Sequence, residues 1–402
     1  MELIEVVLII SYVFISLLAL KMFGVSILIL YIAQALIVLI ALLTLDESFK
    51  EFLRFNLASY MALICGCLIF SRSKASGYKP RSTDRKSHRY AFISVVMFVI
   101  LASAYHYSVI GLPLFSDNLD IARFTAKSGF FELPSRVAIY APLFLLTLLL
   151  SATNSLLFSK REFIFFLIII VTSISVQGNK SSIFQIIAVF VVVYGFLQEA
   201  EHLKNIAFAL VGVACAFTIY IFFNLDSLAE LELTTYLFDR FGVILFFPGN
   251  ILYGAELQPV LLFNSAILND LFQPIATLFG VPTETLNLQL SREIYGRPSG
   301  FTVPVTPGLF SYHSFIFGNY ISLLISFVIG GIVAFLRNRI HKSSLLGFAT
   351  ICFLQYWIYV GFVSGNIYYL ILNLLVPLIM VVFLYQTIRF FLVPFLSNIT
   401  KL

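Results

Sequence analysis

Charge is what this chain has least of. Asp, Glu, Lys and Arg make up 11% of 402 residues, against 60% hydrophobic residues and a mean hydropathy of +0.99. A soluble domain carries about a quarter charged residues, so that class is excluded. No strong excess of one sign exists either: 25 basic and 20 acidic residues leave +5, and no nucleic-acid partner is expected. Cysteine is sparse, and Cys65, Cys67, Cys215 and Cys352 all sit inside apolar runs, where thiols fill space. Cys65-Gly66-Cys67 is not a C-x-x-C pair, and no metal site is expected. Also missing are Walker, G-x-G-x-x-G, H-E-x-x-H, D-x-D and G-x-S-x-G patterns. ATP, NAD and zinc hydrolytic chemistry therefore have no support, and no cofactor is expected.

What is present is apolar sequence in unbroken runs such as Phe163 to Val171. Membrane β-barrels alternate apolar and polar residues, so these runs point to helices. Apolar runs bounded by charge, Pro or Gly predict eleven spans: 2–20, 22–45, 55–70, 90–112, 136–158, 163–177, 183–198, 205–223, 313–336, 345–364 and 366–390. The expected fold class is all-α, a polytopic integral membrane protein. No basic region or small-residue cleavage site precedes the first run, so Leu3 to Leu20 is expected to be a retained span. The loop 71–89 holds seven Lys or Arg against Asp84, which marks it as cytoplasmic. Alternation then places 16 of the 25 basic residues inside and 9 outside, with the N-terminus outside and the C-terminus inside.

Three units follow: an eight-span bundle over 1–223, a long outer loop over 224–312, and a three-span unit over 313–402. A connection of about ninety residues is unlike its short neighbours, and long loops of that kind usually carry function. Within it, 259–281 places Asn269, Asp270, Gln273 and Thr277 opposite Leu268, Leu271, Phe272 and Ile275, the pattern of an amphipathic surface helix broken near Pro274. A rival reading makes 241–254 and 259–281 two further spans, but Pro248, Gly249 and Gly254 interrupt the first.

Nine cations lie on the disfavoured outer side: Lys50, Arg54, Arg123, Lys127, Arg136, Lys180, Arg240, Arg292 and Arg297. Gly111-Leu112-Pro113-Leu114 ends the fourth span, and Ser116 is a fitting N-cap for a short helix carrying Arg123 and Lys127 on one face. That pair wants an anion, unless Asp120 neutralises Arg123. Lys180 lies in the turn Gln177-Gly178-Asn179-Lys180-Ser181-Ser182, where backbone N–H groups and a lysine suit a phosphate; a plain helical hairpin is the alternative. The densest cluster runs from Arg292 through Arg297 to His313. Three prolines and three glycines between Gly296 and Gly308 preset its backbone as a binding loop. Arginine forks donate in pairs and never deprotonate, which suits pyrophosphate. His313 stands where the loop re-enters the membrane, either as a base or as a satisfied interfacial histidine.

In these features the chain resembles the O-antigen polymerases, the Wzy family of bacterial envelope enzymes. The resemblance rests on many spans, a large late outer loop, the Gly111-Leu112-Pro113-Leu114 helix end followed by Arg123, and Arg297 separated by ten residues from Gly308. Thr306-Pro307-Gly308 followed by Phe317-Gly318 resembles the family's loop exit. One departure is Lys180, where relatives often carry Arg. The resemblance implies a GT-C-like glycosyltransferase of the inner membrane that joins undecaprenyl-pyrophosphate-linked oligosaccharide units at the periplasmic face, with a chain-length regulator as a further partner. It implies catalytic roles for Arg297, Arg123 and the candidate base His313, with Glu293 and Asp239 behind it. Pyrophosphate contacts fall to Arg292, Lys180, Arg240 and Lys127. An O-antigen ligase, a lipid-linked oligosaccharide flippase and a passive channel stay open as alternatives.

Overall fold

The computed structural model describes residues 3–23, 27–45, 47–71, 85–111, 132–152, 157–176, 182–197, 244–254, 308–340, 343–364 and 367–392, with isolated positions at 272, 276 and 286. Among these residues the regular structure is helical and no strand occurs. The elements are α1 (Leu3–Phe23), α2 (Leu28–Thr44), α3 (Glu47–Phe70), α4 (Arg85–Ile110), α5 (Glu132–Ser151), α6 (Lys160–Ser175) and α7 (Ser182–Tyr194). They continue with α8 (Ile244–Gly254), α9 (Leu309–Phe317), α10 (Asn319–Arg339), α11 (Leu345–Ser364), α12 (Ile367–Thr387) and a π-helical turn at Ile388–Leu392. Five described helices are long and apolar enough to cross a bilayer: the spans Ile4–Met22, Glu47–Phe70, Lys86–Val109, Asn319–Arg339 and Leu345–Val363. Shorter apolar helices lie at Leu28–Thr44, Arg136–Ser151, Gln185–Tyr194 and Pro377–Phe391. The expected span 205–223 and amphipathic helix 259–281 fall outside the described residues, apart from isolated positions.

Two groups of helices pack around different centres. In one, α3 lies along α10 and also meets α1 and α2; in the other, α5 is surrounded by α4, α6, α7, α11 and α12. Residues 141–152 of α5 are buried on every side, which is how a helix with an apolar surface all round must sit. The hydroxyls in this stretch are satisfied within the helix, Thr147 donating to the Leu143 carbonyl at 2.8 Å and Ser151 to that of Thr147 at 2.6 Å. The groups join where Tyr31 of α2 and Tyr60 of α3 pack edge-on against Phe362 of α11.

The α3–α10 contact is the closest of these joints because small residues form it. A Cβ built on Gly66 would lie 2.1 Å from the Phe327 carbonyl oxygen, and one on Gly330 2.0 Å from that of Leu63. Lipid tails are as apolar as leucine, so close backbone approach and interhelical hydrogen bonds hold such pairs together. Here Cys67 Sγ donates to the Gly330 carbonyl at 3.2 Å, and Ser59 and Ser326 meet at 2.7 Å. Ser326 gives its proton to the Ser322 carbonyl at 3.0 Å, so Ser59 is the donor across the joint. Cys65, Cys67 and Cys352 are free thiols, as the apolar runs imply.

Helix boundaries depart from the hydropathy reading in informative places. Helix α3 begins at Glu47 rather than 55, because two charged turns extend the helix without making it apolar. The expected span 313–336 is divided into α9 and α10 at Gly318, whose φ is +83°, a backbone value glycine adopts without a Cβ penalty. Pro248 does not prevent a helix over Ile244–Gly254, but 11 residues rise only about 16 Å, about half a bilayer core.

Candidate functional site

One end of the bundle collects the groups that the charge rule assigns to the outer face. The first turns of α3 carry Glu47, Lys50, Glu51 and Arg54. Arg54 donates to the buried carboxylate of Glu5 at 3.0 Å, Lys50 lies 3.9 Å from the same oxygen, and Lys50 also pairs with Glu47. Two of the nine outward cations are thus accounted for by local carboxylates. Arg136, a third, is buried at the start of α5.

Beside this ion cluster, α8 and α9 dock on α3. Tyr253 of α8 donates its hydroxyl proton to Glu51 at 2.9 Å and accepts from Asn319 Nδ2 of α10 at 3.2 Å. Burial, then the acceptor Glu51, pushes the Tyr253 hydroxyl up to about 12, so it stays a donor at neutral pH. Its ring belongs to an aromatic cluster: Phe310 lies 6.2 Å away, and Phe55 stacks on Phe310 at 5.9 Å with planes 3° apart. Ser322 of α10 reaches back across the Gly318 break to donate to the Phe310 carbonyl at 3.1 Å. Ser59 thus donates to Ser326, Ser326 to the Ser322 carbonyl, and the Ser322 hydroxyl separately to the backbone of α9.

Helix α9 carries His313. Its side chain is 1% exposed, edge-on to Tyr312 at 5.6 Å and tilted against Phe317 at 6.0 Å. Of the two readings of this histidine, base or satisfied interfacial group, neither is decided by its burial. The re-entry is a separate helix packed against α10, α8, α11 and α3, and His313 is buried within it. For this imidazole to take a proton from a bound hydroxyl, it must first be exposed.

Of the other expected site residues, Arg123, Lys127, Lys180, Arg240, Arg292 and Arg297 lie outside the described residues, as do Glu293 and Asp239. The helix end expected before Arg123 is present: α4 stops at Ile110, and Gly111, at φ +78°, donates to the Tyr107 carbonyl at 2.9 Å. Gly308, at φ +82°, opens α9 as expected of the loop exit. Among the described residues no group of three His, Cys, Asp or Glu could hold a metal. Sequence reasoning missed Glu5, which meets Arg54 49 residues away, and Glu51, Tyr253 and Asn319, which meet across separations of 66 and 202 residues and share no local spacing.

The opposite end is basic. Arg89 of α4 pairs with Glu162 of α6, and Asn338 of α10 donates to the Phe70 carbonyl at 3.1 Å. Ends that the charge rule groups on one side therefore do meet in space. Ser159 and Glu162 form a capping box at the start of α6. The Ser159 backbone N–H, then its hydroxyl and Arg89, hold the Glu162 carboxyl below its ordinary value.

Fold and site define a class: an all-α, multi-pass membrane protein with polar and ionic groups gathered at both ends and helical segments docked over one of them. Comparison with protein-family models, curated proteins and solved structures finds no match.

Proposed function

We propose that this protein polymerises undecaprenyl-pyrophosphate-linked oligosaccharide units into a surface polysaccharide at the outer face of a bacterial inner membrane. The proposed bundle has eleven spans, with the N-terminus periplasmic, the C-terminus cytoplasmic and a GT-C-like arrangement. One observation carries the reading. The segment 255–307, which holds Arg292 and Arg297, leaves from Tyr253 and returns at Phe310, and those two rings lie 6.2 Å apart. The described residues that flank the arginine-bearing segment therefore lie together at one corner of the bundle, which supports a site built there.

In the proposed reaction, the anomeric carbon of the growing chain loses its bond to the lipid pyrophosphate and gains one to a hydroxyl of the incoming unit. The hydroxyl proton passes to a base, for which His313 is the candidate once uncovered. The pyrophosphate leaves with its charge held by Arg123, Lys180, Arg292 and Arg297, with Arg240 and Lys127 as further contacts. Charge-assisted hydrogen bonds contribute about 1.5–3 kcal/mol each, so losing one costs roughly ten- to a hundredfold in rate. Arg297→Ala and Arg123→Ala are expected to abolish long-chain polysaccharide on a gel, while Lys50→Ala, whose cation is already paired, retains it. Long chains persisting in both arginine variants would refute the proposal. Deletion separates polymerase from ligase: without a polymerase single units still cap the lipid core, and without a ligase none do.

A further inference from the structure

We propose that the basic joint between α4 and α6 is a binding site for an anionic phospholipid headgroup. Arg89 and Glu162 tie the two helices together here, and beneath them Phe92 packs against Phe158 at 5.0 Å and Phe166 at 5.3 Å. The joint is therefore a fixed point and not two independent helix ends. Around it stand Lys86, Arg89, Lys160 and Arg161 against Glu162, four positive charges to one negative. Glu162 is already committed to Arg89 and to the Ser159 cap. Lys86, Lys160 and Arg161 are exposed and make no ion pair among the described residues.

The second observation lies along the helices below the cations. On α4, Lys86 is followed at the same face by Tyr90, Met97 and Leu101, which are exposed. On α6, Arg161 is followed at helical spacing by Ile164, Phe165 and Ile168, also exposed. Residues three, four and seven apart share a helix face. Each helix thus presents a cation at its end and an uncovered apolar stripe running into the membrane. A phosphodiester over two acyl chains matches that order of chemistry: phosphate oxygens for the ammonium and guanidinium groups, hydrocarbon for the stripes. Free phosphate would use the first part alone. Basic sites between helices at a membrane end favour anionic lipids by roughly a fivefold affinity gain per Lys or Arg.

The test uses the full-length purified protein in phosphatidylcholine nanodiscs with and without phosphatidylglycerol, read by thermal stability and by the lipid retained on mild extraction. Phosphatidylglycerol is expected to raise Tm and to be retained preferentially. The triple variant Lys86→Gln, Lys160→Gln, Arg161→Gln keeps the Arg89–Glu162 tie. It is expected to match wild type in phosphatidylcholine and to lose about a hundredfold in phosphatidylglycerol affinity, three steps of roughly fivefold. Equal responses of the two proteins to phosphatidylglycerol would overturn the proposal. So would inorganic phosphate reproducing the wild-type shift, which would make the site a phosphate site with no lipid requirement. Should the triple variant not fold, Arg161→Gln alone is expected to lose about fivefold, and high salt to remove the wild-type preference. Persistence of the preference under both conditions would equally overturn the assignment.

Discussion

The sharpest consequence of the α3–α10 joint concerns one methyl group. In Gly330→Ala the new Cβ would lie 2.0 Å from the Leu63 carbonyl oxygen, 2.9 Å from its carbon and 3.0 Å from the Cys67 nitrogen. All three belong to helix backbone, so no side-chain rotation relieves the contact. A carbon resting against a carbonyl oxygen needs about 3.3 Å, so the helices must part by more than about 1 Å. A gap of that size forfeits roughly a quarter to a half of the dispersion attraction between facing atoms. It also stretches the 2.7 Å contact of Ser59 with Ser326 beyond hydrogen-bond reach. Overpacking costs about 1–3 kcal/mol, and an interhelical hydrogen bond in a membrane contributes about 0.6 kcal/mol, rising to about 1.7. The expected loss is about 3 kcal/mol. Gly331→Ala is the control, since its Cβ meets only the Phe70 ring, at 3.0 Å, and a ring can turn aside; the expected cost is below about 1 kcal/mol. Reversible unfolding in mixed detergent micelles measures both. If the two substitutions cost the same, the backbones do not approach as closely as described and the reasoning fails.

Three other outcomes follow from the same contacts. Ser59→Ala and Ser326→Ala are expected to couple in a double-mutant cycle by about 0.6–1.7 kcal/mol, and strictly additive effects would remove this hydrogen bond from the account of how α3 and α10 are held. Glu5→Gln removes the charged carboxylate that Arg54 and Lys50 share, at side chains 20% and 23% exposed. Partial hydration limits the loss to about 1–3 kcal/mol, whereas Glu47→Gln, at a carboxylate 79% exposed, is expected to cost below about 0.5 kcal/mol; thermal stabilities in the reverse order would contradict the burial of Glu5. At the other end, the Glu162 carboxyl lies below its ordinary value of 4.5, first because the Ser159 backbone N–H binds its charged form. A lowered folded pKa contributes stability that is complete above the unfolded value and disappears as pH falls through the folded one. The stability difference between wild type and Glu162→Gln should therefore be constant from pH 6 to 8 and shrink below about 4.5; a difference that grows on acidification would refute the capping geometry.

How much of this was legible in the sequence depends on whether a feature is local. Unbroken apolar runs name helices and a bilayer because hydrophobic length is a property of one segment, and Gly111 and Gly308 mark real helix ends because a positive φ is decided within a turn. Charged helix ends are harder to place. The turns of α3 before residue 55 carry four charged residues that lower hydropathy without ending the helix, and Glu5 counts in a charge rule only as an orienting residue, although it neutralises a partner 49 residues away. The site is less legible still, since Tyr253 joins Glu51 and Asn319 through pairings that no spacing encodes. His313 shows the limit from the other direction: its position before an apolar run is consistent with an interfacial base, and only the folded arrangement reveals that the residue is buried. Between these cases lies the series Ser322, Ser326 and Gly330. Its four-residue spacing is visible in the sequence and names a packing face by a purely local rule, yet the same spacing fits any helix that a small-residue stripe allows near. It is the Leu63 carbonyl, 2.0 Å from where a side chain would begin, together with Cys67 and Ser59, that says the partner is α3. The residues that fix this fold most tightly are thus the ones whose meaning is carried by another helix's backbone, which has no sequence signature.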